Sequence, residues 1–370
     1  MNRKKALYRY EFGNMKWMLV AGLGCCLVVL FIINATYSQI VDFSMEGESY
    51  FELGYGATFS EILLDSLDVF TVMAVIAVSV MTIFQFSDYH KRNRREYIVS
   101  LPFTQRERFV SKFVVGSGIL TVVCAAFGVG VSLLRVHYYD FFLKRWLTRP
   151  EYRLLCGNDT WFHTLRSVLL LWVVVLTVYA ISTVIHSLVT SGVVASVISI
   201  GLVASPLYLL WMIYFYGESF NPDFYKWELL NGTIAQVCGS LVGTGYCKTH
   251  NLALEMEQTN DAIAYGNYTD YGSMGLVFLV LFLIFVTCVI LAYVINIRQD
   301  GAKFGSLIPI KGARIFIGAG MAVCFAFPLA MIAEYCLAIE DSAWGLLILQ
   351  IILAAVLYSV SQRIFRRVTR

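Results

Sequence analysis

The chain has 370 residues, of which 58% are hydrophobic and only 14% are charged. Soluble globular domains carry about 25% charged residues, so this composition excludes an ordinary soluble domain and predicts a protein that crosses a membrane several times. The formal net charge of +3 decides little, because the cost of a charge depends on where it lies relative to the bilayer.

Eight apolar segments are long enough to span a hydrocarbon core of about 30 Å, which takes about 20 helical residues. None of them contains Asp, Glu, Lys or Arg, and none alternates as the strands of a membrane barrel would. We therefore predict an all-α polytopic membrane protein with about eight transmembrane helices. The segments are residues 17–33, 69–86, 113–134, 167–185, 193–216, 274–297, 315–333 and 343–360.

The distribution of basic residues predicts the orientation. With a cytoplasmic N-terminus, the inner segments carry 20 of the 28 Lys and Arg residues, as the positive-inside rule requires. Both termini are therefore predicted to be cytoplasmic. The inner segments are residues 1–16, 87–112, 186–192, 298–314 and 361–370.

Segment 135–166 fits this orientation least well, because it is predicted outside and yet holds six basic residues, including Lys144, Arg145, Arg149 and Arg153. We expect its charges to form a solvated face. The alternative is a site for an anionic substrate or a lipid headgroup.

The longest outer segment, 217–273, is predicted to be a large extracellular loop. It contains Cys238 and Cys247, which could form a disulfide in an oxidising exterior. The remaining cysteines fall mostly inside apolar segments as small core residues, and their spacing does not predict a metal site.

The N-terminal segment 1–16 combines basic residues with Leu7, Tyr8, Tyr10 and Phe12. Such a stretch can lie in the headgroup plane as an interfacial helix. The alternative is an ordinary basic flank of the first span.

The inner segment 87–112, between spans two and three, carries seven basic residues. Pro102 lacks the backbone N–H that a continuing helix needs, and it keeps the backbone of Leu101 out of the α-helical conformation. One short helix should therefore end near Ser100. Thr104 with Glu107 three residues later has the capping-box pattern, so a second helix should begin there and continue into span three. We interpret the segment, which we call the central loop, as a docking site for a cytoplasmic partner. The alternative is that its charges only set the topology.

Motifs for catalysis or nucleotide binding are missing from the sequence. The nearest approach to a phosphate-binding loop, GTGYCKT at 243–249, lacks the Gly that should precede Lys248. We therefore expect no enzyme activity, no cofactor and no nucleic-acid partner for this chain.

Two inner segments resemble a known family. FSDYHKRNRREYIVSLPFTQRERFVSKFVVG is similar to the first cytoplasmic loop of ABC-2-type ABC transporter permeases, where a charged stretch precedes "SLP" and a polar, Arg-bearing helix. INIRQDGAKFGSLIPIKGARIFIG resembles the linker after span six in the Firmicute antibiotic-export type, which commonly reads R-x-x-E-x-x-G. This chain has Arg298, Gly301 and Gly305 but Asp300 in place of a Glu at the usual spacing.

The resemblance implies a permease subunit in a bacterial cell membrane, dimeric with a second copy or a homologous permease and surrounded by membrane lipid. Its energy would come from separate ABC ATPase subunits, which hold ATP and magnesium. By the same resemblance, the residues that couple the chain to the ATPase would be Tyr89, Arg92, Arg94, Arg95, Tyr97, Ser100, Leu101, Pro102 and Arg106. A different class of protein is the alternative, namely a non-transporting membrane sensor or assembly protein whose extracellular loops bind a ligand.

Overall fold

The structure is a computed structural model that describes residues 3–45, 59–90, 102–148, 160–220, 233–242, 255–259, 262–266, 272–298, 308, 310–337 and 343–366. Within these residues the chain forms ten helices and one β-hairpin. The helices are α1 (Arg3–Met45), α2 (Phe59–Gln85), α3 (Ser87–His90), α4 (Gln105–Thr148), α5 (Trp161–Leu188), α6 (Gly192–Phe220), α7 (Thr233–Val242), α8 (Gly272–Arg298), α9 (Lys311–Leu337) and α10 (Ala343–Arg366).

Seven helices of the described part are long and apolar enough to cross a membrane, namely α1, α4, α5, α6, α8, α9 and α10. They confirm the prediction of an all-α polytopic membrane protein. The second predicted span, 69–86, is also helical as part of α2. Its apolar stretch, Phe70–Gln85, is shorter than the others and covers about 24 Å at 1.5 Å per residue.

Two of the spanning helices are much longer than a bilayer. Helices α1 and α4 have 43 and 44 residues, or about 65 Å each, so both extend beyond a hydrocarbon core of about 30 Å. Residues 3–16 are therefore continuous with the first span and do not form a separate helix ending at residue 16. Residues 135–148, predicted as part of an outer loop, instead continue α4.

The β-hairpin lies within the predicted extracellular loop 217–273. Its strands, β1 (Glu255–Thr259) and β2 (Ala262–Gly266), pair antiparallel with Glu255 opposite Gly266 and Thr259 opposite Ala262. Helix α7 belongs to the same loop.

The chain divides into two compact units. The first comprises Met1–Val75, Lys112–Thr177 and Gly239–Leu283, and the second comprises Ile76–Ser111, Val178–Cys238 and Ile284–Arg370.

In the first unit, α1 and α4 approach closely at glycines. A Cβ on Gly22 would lie 2.9 Å from Cγ2 of Val123, and Leu30 fills the space that a Cβ on Gly130 would take. The missing side chains let the two helices pack against each other.

In the second unit, α5 and α6 form a tight hairpin at the short inner segment 186–192, with α5 ending at Leu188 and α6 beginning at Gly192. We call residues 189–191 the α5–α6 turn. Helices α6, α9 and α10 pack together, and one of their contacts is a buried cluster of Tyr216, Phe327, Ala330 and Leu346.

Candidate functional site

The second helix of the central loop begins where the sequence predicts. The backbone N–H of Thr104 donates to Oε2 of Glu107 at 3.0 Å, and the N–H of Glu107 donates to Oγ1 of Thr104 at 3.2 Å. This reciprocal pair is a capping box. It confirms the predicted helix start, and α4 continues from Gln105 without a break through the third span.

Arg106 and Pro102, two of the predicted coupling residues, are exposed. The guanidinium of Arg106 lies 5.6 Å from the ring centroid of Tyr293 on α8, a cation–π contact. The ring of Phe109 lies 6.1 Å from the same tyrosine. These contacts hold the first turns of α4 against the part of α8 that leads into the inner segment 298–314.

Most of the other predicted coupling residues cannot be placed. Tyr89 belongs to α3, but its side chain is outside the described part of the structure. The remaining ones lie outside the described residues altogether, and their roles stay predictions. They are Arg92, Arg94, Arg95, Tyr97, Ser100 and Leu101.

A chain of hydrogen bonds, which we call the histidine junction, joins the start of the central loop to the α5–α6 turn. His90, the last residue of α3, places Nδ1 3.0 Å from the carbonyl oxygen of Thr190 and Nε2 3.0 Å from Nδ1 of His186. Nε2 of His186 lies 3.2 Å from Oγ of Ser196, whose hydroxyl is 3.3 Å from the carbonyl oxygen of Ser79. The junction therefore links α2, α3, α5 and α6.

Packing around the junction is close. His186 is buried, and the ring of Phe86 stacks on it with centroids 5.7 Å apart. A Cβ on Gly192 would lie 3.0 Å from Cδ2 of His90, so a small residue is needed at the start of α6 for the histidine to approach.

The second inner segment with a family resemblance meets the same turn. Ile308 is fully buried and belongs to one apolar cluster with Ile185, Val189 and Ala195 of the α5–α6 region. Arg314 donates from Nε and Nη2 to the carbonyl oxygen of Ile308, at 3.3 and 3.1 Å. Both segments on which the resemblance rests therefore converge on the turn between α5 and α6.

A buried ion pair ties the N-terminal segment to the end of the central loop. Nζ of Lys112 donates to Oε2 of Glu11 at 3.1 Å, and the two side chains are 3% and 5% exposed. Residues 3–16 therefore contact the beginning of α4 through a specific buried ion pair.

The predicted outer segments contact one another as well. The hydroxyl of Tyr138 donates to Oδ1 of Asn34 at 3.0 Å, and that of Tyr37 donates to the carbonyl oxygen of Phe59 at 2.7 Å. Residues 34–68, which join the first two predicted spans on the outer side, and segment 135–166 therefore lie at the same end of the helices that carry them, as the predicted topology requires.

The expectation of a solvated face on segment 135–166 is wrong for Arg135 and Arg166, which are both buried. Arg135 donates to the hydroxyls of Ser60 and Thr164. Its guanidinium also lies over the ring of Phe59. Because aromatic rings and hydroxyls replace water around these cations, they belong to the packed interior. The side chains of Lys144, Arg145, Arg149 and Arg153 are outside the described part.

Cys238 is buried on α7, and burial raises the pKa of its thiol. Its predicted disulfide partner, Cys247, is outside the described residues. The pairing therefore stays a prediction.

The histidine junction and the Glu11–Lys112 pair were not predicted from the sequence. Each histidine stands next to the end of an apolar segment on the predicted inner side, and each member of the ion pair lies just outside a span. These positions mark them as residues near the inner surface. The positions do not predict the pairing of these residues, because the partners are about 100 residues apart in the chain.

No family model, curated protein or solved structure matches this chain.

Proposed function

We propose that the chain is the transmembrane permease subunit of an ATP-binding cassette exporter. It works as a dimer and is driven by a separate ATPase subunit that docks on the central loop. The observation that carries the proposal is the convergence of both resembling segments on the α5–α6 turn, through His90 and through Ile308.

The contacts suit a device that passes a movement from a bound partner to the membrane helices. Helix α4 runs unbroken from Gln105 to Thr148, so a force on Arg106 acts on the whole third span as on a rigid rod. A displacement of α3 reaches the α5–α6 hairpin through the bond from His90 to Thr190. Rigid-body shifts of packed helices are a common means of switching between two states.

In this mechanism the chain supplies the docking surface and the pathway, and the partner supplies ATP hydrolysis. The buried Glu11–Lys112 pair makes residues 3–16 move together with the start of α4. We place the protein in a bacterial cell membrane, with both termini and the docking surface in the cytoplasm.

The test is a pull-down from solubilised native membranes with the intact chain and with a variant carrying Arg94→Glu and Arg106→Glu. Because both predicted docking cations change sign, we expect the intact chain to recover a nucleotide-binding subunit and the variant to lose most of it. A chain with Lys16→Glu and Arg363→Glu is the control. It makes the same change of charge at two exposed basic positions on the predicted inner side and should recover the subunit normally.

Failure of the intact chain to recover any nucleotide-binding subunit would contradict the proposal. It would favour the alternative of a sensor or assembly protein that binds a ligand through its extracellular loops. Equal loss in the test and control variants would show that charge alone, and not a docking site in the central loop, holds the partner.

A further inference from the structure

Aromatic side chains from α6, α9 and α10 contact one another toward the end of these helices that is predicted to lie outside. The ring of Phe327 is fully buried, and its centroid lies 5.4 to 6.2 Å from those of four rings on α6. Farther out, the rings of Phe220 and Trp344 have centroids 4.6 Å apart. We call the set the outer aromatic cluster, and its members are Tyr208, Trp211, Phe215, Tyr216, Phe220, Phe327 and Trp344.

The cluster is deeper than the belt of aromatic residues that anchors membrane proteins at the headgroups. Such a belt lies at the surface of the bilayer, and it accounts for Trp344 at the start of α10. The distance along α6 from Tyr208 to Phe220 is about 18 Å at 1.5 Å per residue. One headgroup layer is only about 5 to 8 Å thick, so the inner members of the cluster lie within the hydrocarbon region.

Three rings of the cluster keep much of their surface uncovered by the described part of the chain. Trp211 is 49% exposed, Phe220 is 41% exposed and Trp344 is 65% exposed. The face of an aromatic ring carries partial negative charge. The cluster therefore offers an apolar surface that attracts positive charge.

Oxygen atoms of the cluster add to this negative character. The hydroxyl of Tyr208 is buried, and within the described residues it has no hydrogen-bond partner. The hydroxyl of Tyr216 donates its hydrogen to Oε1 of Gln350 at 2.6 Å, which leaves its own oxygen lone pairs free. A buried hydroxyl without a partner is costly, so the site favours an occupant that interacts with it.

Charged residues at this end of the three helices have the same sign. In the sequences of α6, α9 and α10 the only acids are Glu218 and Glu334, both near the predicted outer ends, and every Lys and Arg lies toward the inner ends. Residues 338–342, which join α9 to α10, add Glu340 and Asp341 and no basic residue. Glu334 interacts electrostatically with Tyr216, so one of these carboxylates acts on the cluster itself.

We propose that the outer aromatic cluster binds a lipophilic organic cation. Ring faces attract a cation, and the attraction is stronger where water is excluded. The carboxylates at the outer end select positive over negative ligands of the same shape. That this cation is also the exported substrate rests on the proposed function, whereas binding itself needs neither the ATPase nor transport.

The experiment measures equilibrium dialysis of tetraphenylphosphonium against the full chain in nanodiscs of phosphatidylcholine, with empty nanodiscs subtracted. Tetraphenylborate, which has nearly the same size and shape but a negative charge, is measured in separate samples. We expect saturable binding of the phosphonium. The borate should show only the unsaturable partitioning that empty nanodiscs also show.

Two pairs of variants locate the site. Trp211→Leu should weaken phosphonium binding about fivefold through the loss of one ring face, while Trp17→Leu, at an exposed position on α1, should not change it. Glu334→Gln should weaken binding about threefold. Its control is Asp140→Asn, an exposed acid on α4, which should leave binding unchanged.

Three results would overturn the proposal. The first is phosphonium binding no greater than in empty nanodiscs. The second is saturable borate binding of equal affinity, which would mean that the surface is merely apolar. The third is an equal effect of Trp211→Leu and Trp17→Leu. None of them bears on the pull-down, and a failed pull-down would leave phosphonium binding unchanged, so the two proposals can fail separately.

Discussion

At the scale of single residues, the Glu11–Lys112 pair is a pair of opposite charges withdrawn from water. Both residues are buried, with side chains that are 5% exposed for Glu11 and 3% exposed for Lys112. Removal of one partner from a buried pair is costly, because it leaves the other charge without its counterion in a medium of low dielectric constant. A buried pair therefore fixes which two segments contact each other, and it contributes little net stability.

Glu11→Gln and Lys112→Met should each lower the free energy of unfolding by about 3 kcal/mol. The double variant should lose less than the sum of the two, by about 1 kcal/mol or more, because neither charge is then left behind. Denaturant unfolding in detergent micelles measures all three. Lys16→Met is the control, because Lys16 is exposed and lies on α1 with Glu11. This variant should change the free energy of unfolding by less than about 0.5 kcal/mol. Strict additivity of the two single effects would show that the charges do not interact.

At the scale of elements, the contact between α1 and α4 depends on glycines that have no side chain to keep the helices apart. Gly22 faces Val123, and Gly130 faces Leu30. In a membrane, association of helices rests on close packing because lipid is as apolar as the side chains. A single methyl group at such a position therefore matters more than its size suggests.

Gly130→Ala should destabilise the α1–α4 contact by about 1 to 3 kcal/mol, since the added methyl overlaps Leu30 and the packing must shift. Gly118→Ala is the matched control on the same helix. It has nothing within 4 Å of its Cβ position and should be neutral or stabilising by up to about 1 kcal/mol from helix propensity. Thermal unfolding in the same detergent compares the stabilities of the two variants. Equal stability of the two would mean that α1 and α4 do not pack as described.

At the scale of the whole molecule, the charge count and the contacts agree on which segments share a side. Tyr138 bonds to Asn34, which joins the two predicted outer segments, and His90 bonds to Thr190, which joins two predicted inner ones. These contacts show that the two segments of each pair lie on the same side of the membrane, but they do not show which side that is. The excess of Lys and Arg in the inner segments supplies the absolute direction.

Cysteine labelling in intact cells tests that direction. His137→Cys should react with a membrane-impermeant maleimide from outside, and Lys311→Cys only after the membrane is permeabilised, because both positions are exposed and lie on opposite predicted sides. Labelling is read as the increase over the unsubstituted chain, which carries its own nine cysteines. The reverse pattern would invert the topology and move the central loop outside, where no ATPase could reach it.

The apolar segments alone predicted the fold class and the positions of the spans. A bilayer requires every spanning segment to satisfy its backbone hydrogen bonds internally and to carry few charged side chains. Both requirements can be recognised from the local sequence of each segment. The helix start at Thr104 was equally local, because a capping box needs only residues three apart. Helix ends were less predictable, since α1 and α4 continue far past the apolar segments into polar sequence.

Tertiary structure alone decided which polar residues meet. His90 and His186, and Glu11 and Lys112, are pairs separated by stretches of chain that include whole helices, and Arg135 and Thr164 lie on two successive helices. Their partnerships follow from the packing of helices against one another, and packing depends on the shapes of many side chains at once. For this reason the sequence by itself determined a multi-span helical membrane protein with a basic central loop, and only the folded bundle determined that this loop is fastened to the α5–α6 turn.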